Sequence, residues 1–131
     1  NYVVNQIKLL MNKKRIKLVG ASALILGLTF KENCPDLRNT RVIDVINGLE
    51  EHNCKVEVYD PWVNKIEANN EYGITLLRSP SQGKYDVIVL AVAHDEFKKL
   101  TIKQIQAFGK ESHILYDIKY LLDANQVDGR L

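Results

Sequence analysis

The sequence has no apolar run long enough to cross a bilayer, and it is poor in cysteine and proline. Its longest apolar stretch, residues 22–30, has the length of a strand, whereas a membrane-spanning helix needs about 20 residues. Only 2 cysteines and 3 prolines occur among 131 residues. Cys34 and Cys54 form neither a close-spaced metal pair nor a disulfide framework. We therefore expect reduced thiols, no metal site and no membrane association.

A surplus of charge of one sign is also missing. Lysine and arginine number 18 against 16 aspartates and glutamates, which gives a formal net charge of +2. This excess is too small to indicate a nucleic-acid groove, so any anion site must be local. Residues 1–15 lack the pattern of a signal peptide, and a cytoplasmic location is the default. Apolar residues make up 46% of the chain, enough for the core of one domain.

The apolar pattern predicts an α/β domain preceded by an amphipathic helix. In residues 2–14, Val3, Ile7, Leu10 and Met11 recur at helical spacing. Strands are predicted over residues 22–28, 54–59, 74–77, 85–92 and 113–117. Helices are predicted from about residue 40, over 66–72 and, as one or two helices, over 95–108. Such alternation favours a doubly wound, Rossmann-like, mostly parallel five-stranded sheet with flanking helices.

The loop after the first strand, residues 28–39, is about twice the usual length of such a connection. It carries Lys31 and Arg38 next to the amino end of the following helix, where a phosphate group is favoured. The two cations suit a pyrophosphate, and Phe30 could supply an apolar wall. Spacing alone supports equally well an alternative in which both are solvated loop charges and Asp36 pairs with Arg38.

Other signals of chemistry are weak. The glycine-rich dinucleotide fingerprint is absent, since Gly27 stands alone after the first strand, and phosphate loops of the Walker type are missing. Asp60 follows the second strand, where it could reach a ribose or form an Asp-Pro turn. His94 follows the fourth predicted strand, and a structural role is favoured. Cys34 has no adjacent histidine to activate it as a nucleophile.

Four segments carry a family resemblance. The loop reads LGLTFKENCPDLRNT at residues 26–40, followed in order by VYDPWV at 58–63, VLAVAHDEF at 89–97 and YDIK at 116–119. Together they resemble the C-terminal UDP-binding domain of the UDP-glucose/GDP-mannose dehydrogenase family. The first and third segments look closer to the branch that oxidises UDP-N-acetylhexosamines than to UDP-glucose dehydrogenase itself.

The resemblance implies a function and a set of site residues. The family oxidises C6 of a nucleotide sugar from alcohol to carboxylate, with two hydride transfers to NAD and a catalytic cysteine. Phe30 and Lys31 match positions that contact the UDP-sugar, and Arg38 matches an arginine that reaches the NAD pyrophosphate. Lys119 falls where the family commonly has the substrate-binding arginine of an Asp-Gly-Arg motif. A similar motif at residues 128–130 comes further along the chain.

The same resemblance predicts the place of this chain in a longer enzyme. Residues 1–15 look like the end of the central helix that joins two domains and forms a homodimer, and residues 16–131 look like the UDP-binding domain. The NAD domain and the catalytic cysteine motif have no counterpart here, so the fragment is expected to be inactive alone. The apolar stripe of the first helix is expected to be partly exposed, which favours self-association.

Two further hypotheses remain at this point. The chain could be a stand-alone nucleotide-binding or regulatory module that uses the same loop without hydride chemistry. A small flavin-binding or receiver domain is a third possibility, and the cationic first loop argues against it. The leading expectation is the UDP-sugar-binding part of an NAD-dependent 6-dehydrogenase for surface polysaccharide synthesis.

Overall fold

The computed structural model describes all 131 residues and shows one parallel sheet with helices on both faces. The strands are β1 (Ser22–Leu26), β2 (Lys55–Tyr59), β3 (Tyr85–Leu90), β4 (Gly109–Asp117) and β5 (Gly129–Arg130). The helices are α1 (Tyr2–Lys13), α2 (Val42–Glu51), α3 (Lys65–Tyr72), α4 (Asp95–Lys98) and α5 (Ile102–Gln106), with a 3₁₀ turn at Ala124–Gln126. The strand order is β2-β1-β3-β4-β5, and every pairing is parallel. The predicted doubly wound fold is confirmed.

The central strands are apolar because both of their faces are covered. Every residue of β3 is buried, as expected for a strand inside a parallel sheet. Successive side chains point to opposite faces, so Val87 and Val89 join the core beneath α1 and α2 while Ile88 and Leu90 join the core beneath α4 and α5. The sheet therefore forms the middle layer of three.

Helix α1 is part of this core. The side chain of Asn1 caps it by accepting a hydrogen bond from the backbone N–H of Val4. Most of its apolar stripe is buried by packing against α2 and β4, with Ile7 and Met11 fully inaccessible and Leu10 half-buried. The expectation of a partly exposed stripe is wrong for Val3, Ile7 and Met11, because elements of this same chain cover them. The exposed apolar side chains of α1 are Tyr2 and Leu9.

Two of the predicted strands differ from the observed ones. Residues 74–77 form no strand, and their contact with the sheet is a single bridge between Val58 and Leu76. The fifth strand is instead β5 at the opposite edge, where Gly129 and Arg130 pair with the end of β4. A strand of two residues is too short to show a period of two. Strand β4 also begins at Gly109, ahead of the predicted residue 113. Residues 95–108 form two short helices, one of the two arrangements predicted for them.

The topology fixes where a ligand site can lie. All carboxyl ends of parallel strands meet at one edge of the sheet, and the strand order reverses between β1 and β3. In open α/β sheets, ligands bind in the crevice at such a reversal. The long loop of residues 27–41 leaves β1 at this point. None of the helices has the length and hydropathy that crossing a membrane requires.

Candidate functional site

A cavity of about 740 Å³ opens at the carboxyl edge of the sheet. The loop after β1, the amino end of α2, the turn after β4 and the start of α1 surround it. Its polar and aromatic lining includes Thr29, Phe30, Thr40, Arg41 and Lys119. The cavity therefore lies where the strand order predicts a ligand.

Gly27 allows the loop to leave β1 in this direction. Its φ of +103° belongs to the left-handed side of backbone space, which side chains disfavour. A Cβ atom at this position would lie 2.6 Å from the Cβ of Val92. The backbone N–H of Gly27 donates to the carbonyl of Tyr59 at 2.9 Å. Because Gly27 has no side chain, the loop that follows β1 can pack closely against the loop that follows β3.

Hydrogen bonds hold the far end of the loop. The hydroxyl of Thr40 donates to the carbonyl of Leu28 at 2.6 Å and accepts from the N–H of Val42 at 3.3 Å. The hydroxyl of Tyr72 donates to the carbonyl of Leu37 at 2.7 Å. These hydrogen bonds therefore fix the two ends of the loop of residues 28–40 close together beside the cavity.

The structure brings two of the four predicted site residues to the cavity. Phe30 and Lys119 both line it, although they are far apart in sequence. Phe30 is 48% exposed, which leaves an apolar ring surface available to a ligand. Lys119 is exposed, and its backbone N–H donates to the buried carboxylate of Asp117 at 3.1 Å. Lys31 is exposed in the same loop, and neither lysine forms an ion pair.

Arg38 lies outside the cavity and pairs with a neighbouring carboxylate. It does not line the cavity, and its side chain, 85% exposed, forms an ion pair with Asp36. The hydrogen bonds and charge of Arg38 lower the pKa of Asp36, and Asp36 in turn raises the pKa of Arg38. Of the two sequence interpretations for this arginine, the structure has the ion pair with Asp36.

Arg41 is a cavity residue that sequence reasoning missed. It lies at the amino end of α2, and its nearest acidic partner is Asp44, with an Nη1–Oδ2 distance of 3.8 Å. Both side chains are largely exposed, so the pair is weakly held. The available signal was a second arginine two residues after Asn39, directly ahead of the helical pattern. A cation at that position adds to the positive end of the helix dipole.

Asp60 and His94 do not face a ligand. Both side chains are fully buried, and the distance between Asp60 Oδ2 and His94 Nε2 is 2.9 Å. Asp60 Oδ2 also accepts from the backbone N–H groups of Leu28 and Thr29, while Oδ1 accepts from the N–H of Trp62. The ribose interpretation of Asp60 is wrong, because its oxygens are directed into the protein. The structural interpretation of His94 is confirmed.

Both cysteines are free thiols and neither is part of a catalytic arrangement. Cys54 is buried, and its thiol donates to the carbonyl of Ala21. Burial raises its pKa to about 11, with a further contribution from the charge of Asp86. Cys34 is half-buried in the loop of residues 28–40, with no histidine within hydrogen-bonding distance of its sulfur. The structure thus contains no disulfide between the two cysteines.

Comparison with known proteins identifies related sequences and folds. Residues 24–124 match the family described as "UDP-glucose/GDP-mannose dehydrogenase family, UDP binding domain". The chain is 55% identical over 130 residues to a UDP-N-acetyl-D-glucosamine 6-dehydrogenase of Pseudomonas aeruginosa, covering 99% of this chain and 31% of that protein. It is 50% identical to the enzyme of the same name from Salmonella typhi, covering 100% of this chain and 31% of that protein.

A solved structure shares the fold at low identity. The NDP-N-acetyl-D-galactosaminuronic acid dehydrogenase of Methanosarcina mazei superposes with a TM-score of 0.82 at 19% identity, covering 95% of this chain and 26% of that one. The chain thus spans less than a third of the length of each of these three proteins. At this identity the structural likeness concerns the fold.

Proposed function

The chain belongs to the UDP-glucose/GDP-mannose dehydrogenase family as a UDP-binding domain, and we propose that its cavity binds the UDP part of a nucleotide sugar for an NAD-dependent 6-dehydrogenase. The single observation that carries this proposal is the meeting of Phe30 and Lys119 in one cavity of about 740 Å³. The cavity lies at the strand-order reversal and beside the amino end of α2.

The lining supports particular roles. Phe30 offers an exposed ring against which a planar base or sugar face packs. Lys119 lines the cavity, and the exposed Lys31 follows Phe30 in the adjacent loop. The two lysines supply point charges for the two phosphates, and neither forms an ion pair with a carboxylate. Since Lys119 stands where the family carries an arginine, it gives a single charge in place of a bidentate contact.

The fit of NAD depends on Arg38. When bound, NAD accepts the hydride that leaves C6 of the sugar. The guanidinium of Arg38 has the bidentate geometry that a pyrophosphate requires, and it is exposed at the surface, where a neighbouring domain can reach it. In this structure the same donors bind Asp36. Arg38 therefore fits the role if the cofactor takes the place of Asp36.

The remaining assignments extend this proposal to the whole protein. Residues 1–15 are the end of a helix that leads to an NAD-binding domain and forms a homodimer, and residues 16–131 are the UDP-binding domain. The substrate is a UDP-N-acetylhexosamine, since relatives at 55% and 50% identity are named for one. The chain is inactive alone, because the catalytic cysteine lies outside it. The two free thiols support the cytoplasm as the compartment.

The stand-alone module has less support. The identity of 55% with a dehydrogenase covers 99% of this chain, including α1 as well as the sheet. A module with an unrelated role would not need to retain both the loop and this helix. We therefore favour the dehydrogenase domain.

Calorimetric titration of the chain with UDP, UDP-N-acetylglucosamine and NAD tests the proposal. We expect saturable binding of UDP and of the UDP-sugar, and no more than weak binding of NAD. Lys31→Ala should weaken UDP binding by about tenfold through loss of one phosphate contact. Lys103→Ala, an exposed lysine on α5, is the matched control and should leave the affinity unchanged. Absence of UDP binding at low ionic strength would overturn the proposal.

A further inference from the structure

The loop that carries Phe30 and Lys31 is bound to one buried histidine. His94 follows β3, and its side chain is fully buried. Its ring stacks on the ring of Trp62, with a centroid distance of 6.0 Å, and lies tilted against the ring of Phe97, with a centroid distance of 5.5 Å. Its Nε2 lies 2.9 Å from Asp60, and its Nδ1 accepts a hydrogen bond from the backbone N–H of Asn33 at 2.9 Å. Both ring nitrogens are therefore satisfied by protein groups.

These contacts define the tautomer of the ring. The backbone N–H of Asn33 is always a donor, so Nδ1 must carry a lone pair. The ring hydrogen therefore sits on Nε2, from which it is donated to the carboxylate of Asp60. The arrangement is neutral imidazole beside a carboxylate that also accepts three backbone N–H groups, those of Leu28, Thr29 and Trp62.

The strand order explains why these residues converge. Strand β1 lies between β2 and β3. Asp60 follows β2 and His94 follows β3, so the two side chains meet from opposite sides beneath the loop that follows β1. A shared position at the carboxyl edge makes the contact possible even though the two residues are distant in sequence.

The network holds the proposed phosphate-binding segment at both of its ends. Thr29 precedes Phe30 and Lys31; its hydroxyl lies 3.2 Å from His94 Nε2 and donates to the carbonyl of Lys31 at 2.8 Å. Asn33 follows the segment and is bound to His94 Nδ1. Asn33 has a φ of +55°, a turn conformation that asparagine tolerates. One imidazole thus contacts the residues on both sides of Phe30 and Lys31, and the side-chain oxygen of Asn33 also accepts from the backbone N–H of Asp95 at 2.9 Å.

We propose that His94 is a positioning residue for the UDP site, and that it acts by holding Asn33 through Nδ1 so that Phe30 and Lys31 keep their place beside the cavity. This inference rests on the proposed function, because it assigns the ordered segment to UDP. His94 itself does not touch the ligand.

Two substitutions of His94 separate positioning from stability. The amide oxygen of asparagine lies as far from the backbone as Nδ1, so His94→Asn keeps the acceptor for Asn33 and loses the donor to Asp60. The amide of glutamine reaches the position of Nε2, so His94→Gln keeps the donor to Asp60 and loses the acceptor for Asn33. Removing the donor from a buried carboxylate is the more destabilising change.

The test measures UDP affinity by calorimetry, stability by urea unfolding and the exchange rate of the Asn33 amide by NMR. His94→Gln should weaken UDP binding by about tenfold and speed exchange at Asn33, while His94→Asn should stay within about threefold of the parent affinity. Stability should follow the opposite order, with His94→Asn the less stable variant. His52→Gln, at the amino end of the sheet, is the control and should bind UDP normally.

Three results would overturn the inference. If the less stable variant is also the one that binds UDP more weakly, His94 has only a structural role. Parent-like UDP binding by His94→Gln would lead to the same conclusion. Unchanged exchange at Asn33 in His94→Gln would show that Nδ1 does not hold the segment. If Lys31→Ala still weakens binding in any of these cases, the proposed function stands without this inference. If the parent chain binds no UDP, both fall together.

Discussion

The guanidinium of Arg38 forms two parallel hydrogen bonds with the carboxylate of Asp36, with Nε–Oδ1 and Nη2–Oδ2 distances of 3.0 Å each. Asp36 Oδ1 also accepts from the backbone N–H of Arg38 at 2.9 Å. The carboxylate therefore occupies the donors that a pyrophosphate would use. Since the arginine is largely exposed, exchange of one anion for another needs no rearrangement of the core.

The ion pair predicts how Asp36 titrates. The side-chain hydrogen bonds of Arg38 are the main cause of its lowered pKa. The pair is present above the ordinary pKa of an aspartate and is lost as the pH falls through the lowered value. In Arg38→Gln, we expect the pKa of Asp36 to rise toward the ordinary range, although the hydrogen bond from the backbone N–H of residue 38 still lowers it in part. NMR titration of the Asp36 carboxyl carbon measures this change, and an unaltered midpoint in the variant would show that the pair does not form in solution.

Substitution of Gly27 tests the approach of the loop to the sheet. Gly27→Ala combines a disfavoured φ with a Cβ only 2.6 Å from that of Val92, and we expect a loss of about 3 kcal/mol in unfolding free energy. Gly83→Ala is the matched control, since Gly83 also has a positive φ, +63°, but no heavy atom within 4 Å of the added Cβ. It should cost about 1–2 kcal/mol. Equal losses in urea unfolding would contradict the described contact.

Lys119 should matter through its charge. Lys119→Ala is expected to weaken UDP binding by about tenfold, while Lys119→Arg should preserve it, because arginine supplies the same charge with a bidentate head. Calorimetry at two salt concentrations measures both effects, and the loss in Lys119→Ala should shrink at high salt. Parent-like affinity in Lys119→Ala would exclude this lysine from the site.

The two thiols should differ in reactivity. At pH 8, Cys54 is almost entirely protonated because burial raises its pKa to about 11, and protonated thiols react slowly. Half-buried Cys34 should therefore be labelled first by a thiol reagent, with Cys54 at least about a hundredfold slower. In Cys34→Ser the rapid phase should disappear, and in denaturant the remaining thiol should react at once. A rapid phase that persists in Cys34→Ser would contradict the burial of Cys54.

The sequence predicted the parts of the fold that have a clear period or composition. The continuous apolar run of β3 and the helical spacing of Ile7 and Met11 are such signals, and the structure has both elements. Strand β5 has only two residues, too few for an alternating apolar pattern, so it could be identified only from the structure. The burial of α1 against β4 likewise depends on tertiary packing that a single helix pattern does not contain.

The sequence predicted the location of the candidate site better than it predicted the contacts between its side chains. The unusual length of the loop after β1 and its cations indicated the carboxyl edge, where the cavity lies. Asp60 and His94 were each visible as residues that follow strands, but their contact requires the order β2-β1-β3, which the sequence did not specify. Arg38 had two equal interpretations because spacing does not distinguish a bound anion from a neighbouring carboxylate.

The most direct test of the central claim is to map UDP onto the backbone by NMR. As UDP is added to the chain, we expect the amide shifts to change most at Thr29 and Phe30, at residues 40–42 and at Lys119, which border one cavity, and at Lys31, which follows Phe30 in the loop. Saturation with a single dissociation constant at all three places would support one UDP site at the carboxyl edge. Shift changes centred on the amino end of the sheet, around residues 16–21, or no saturable change at all, would contradict it.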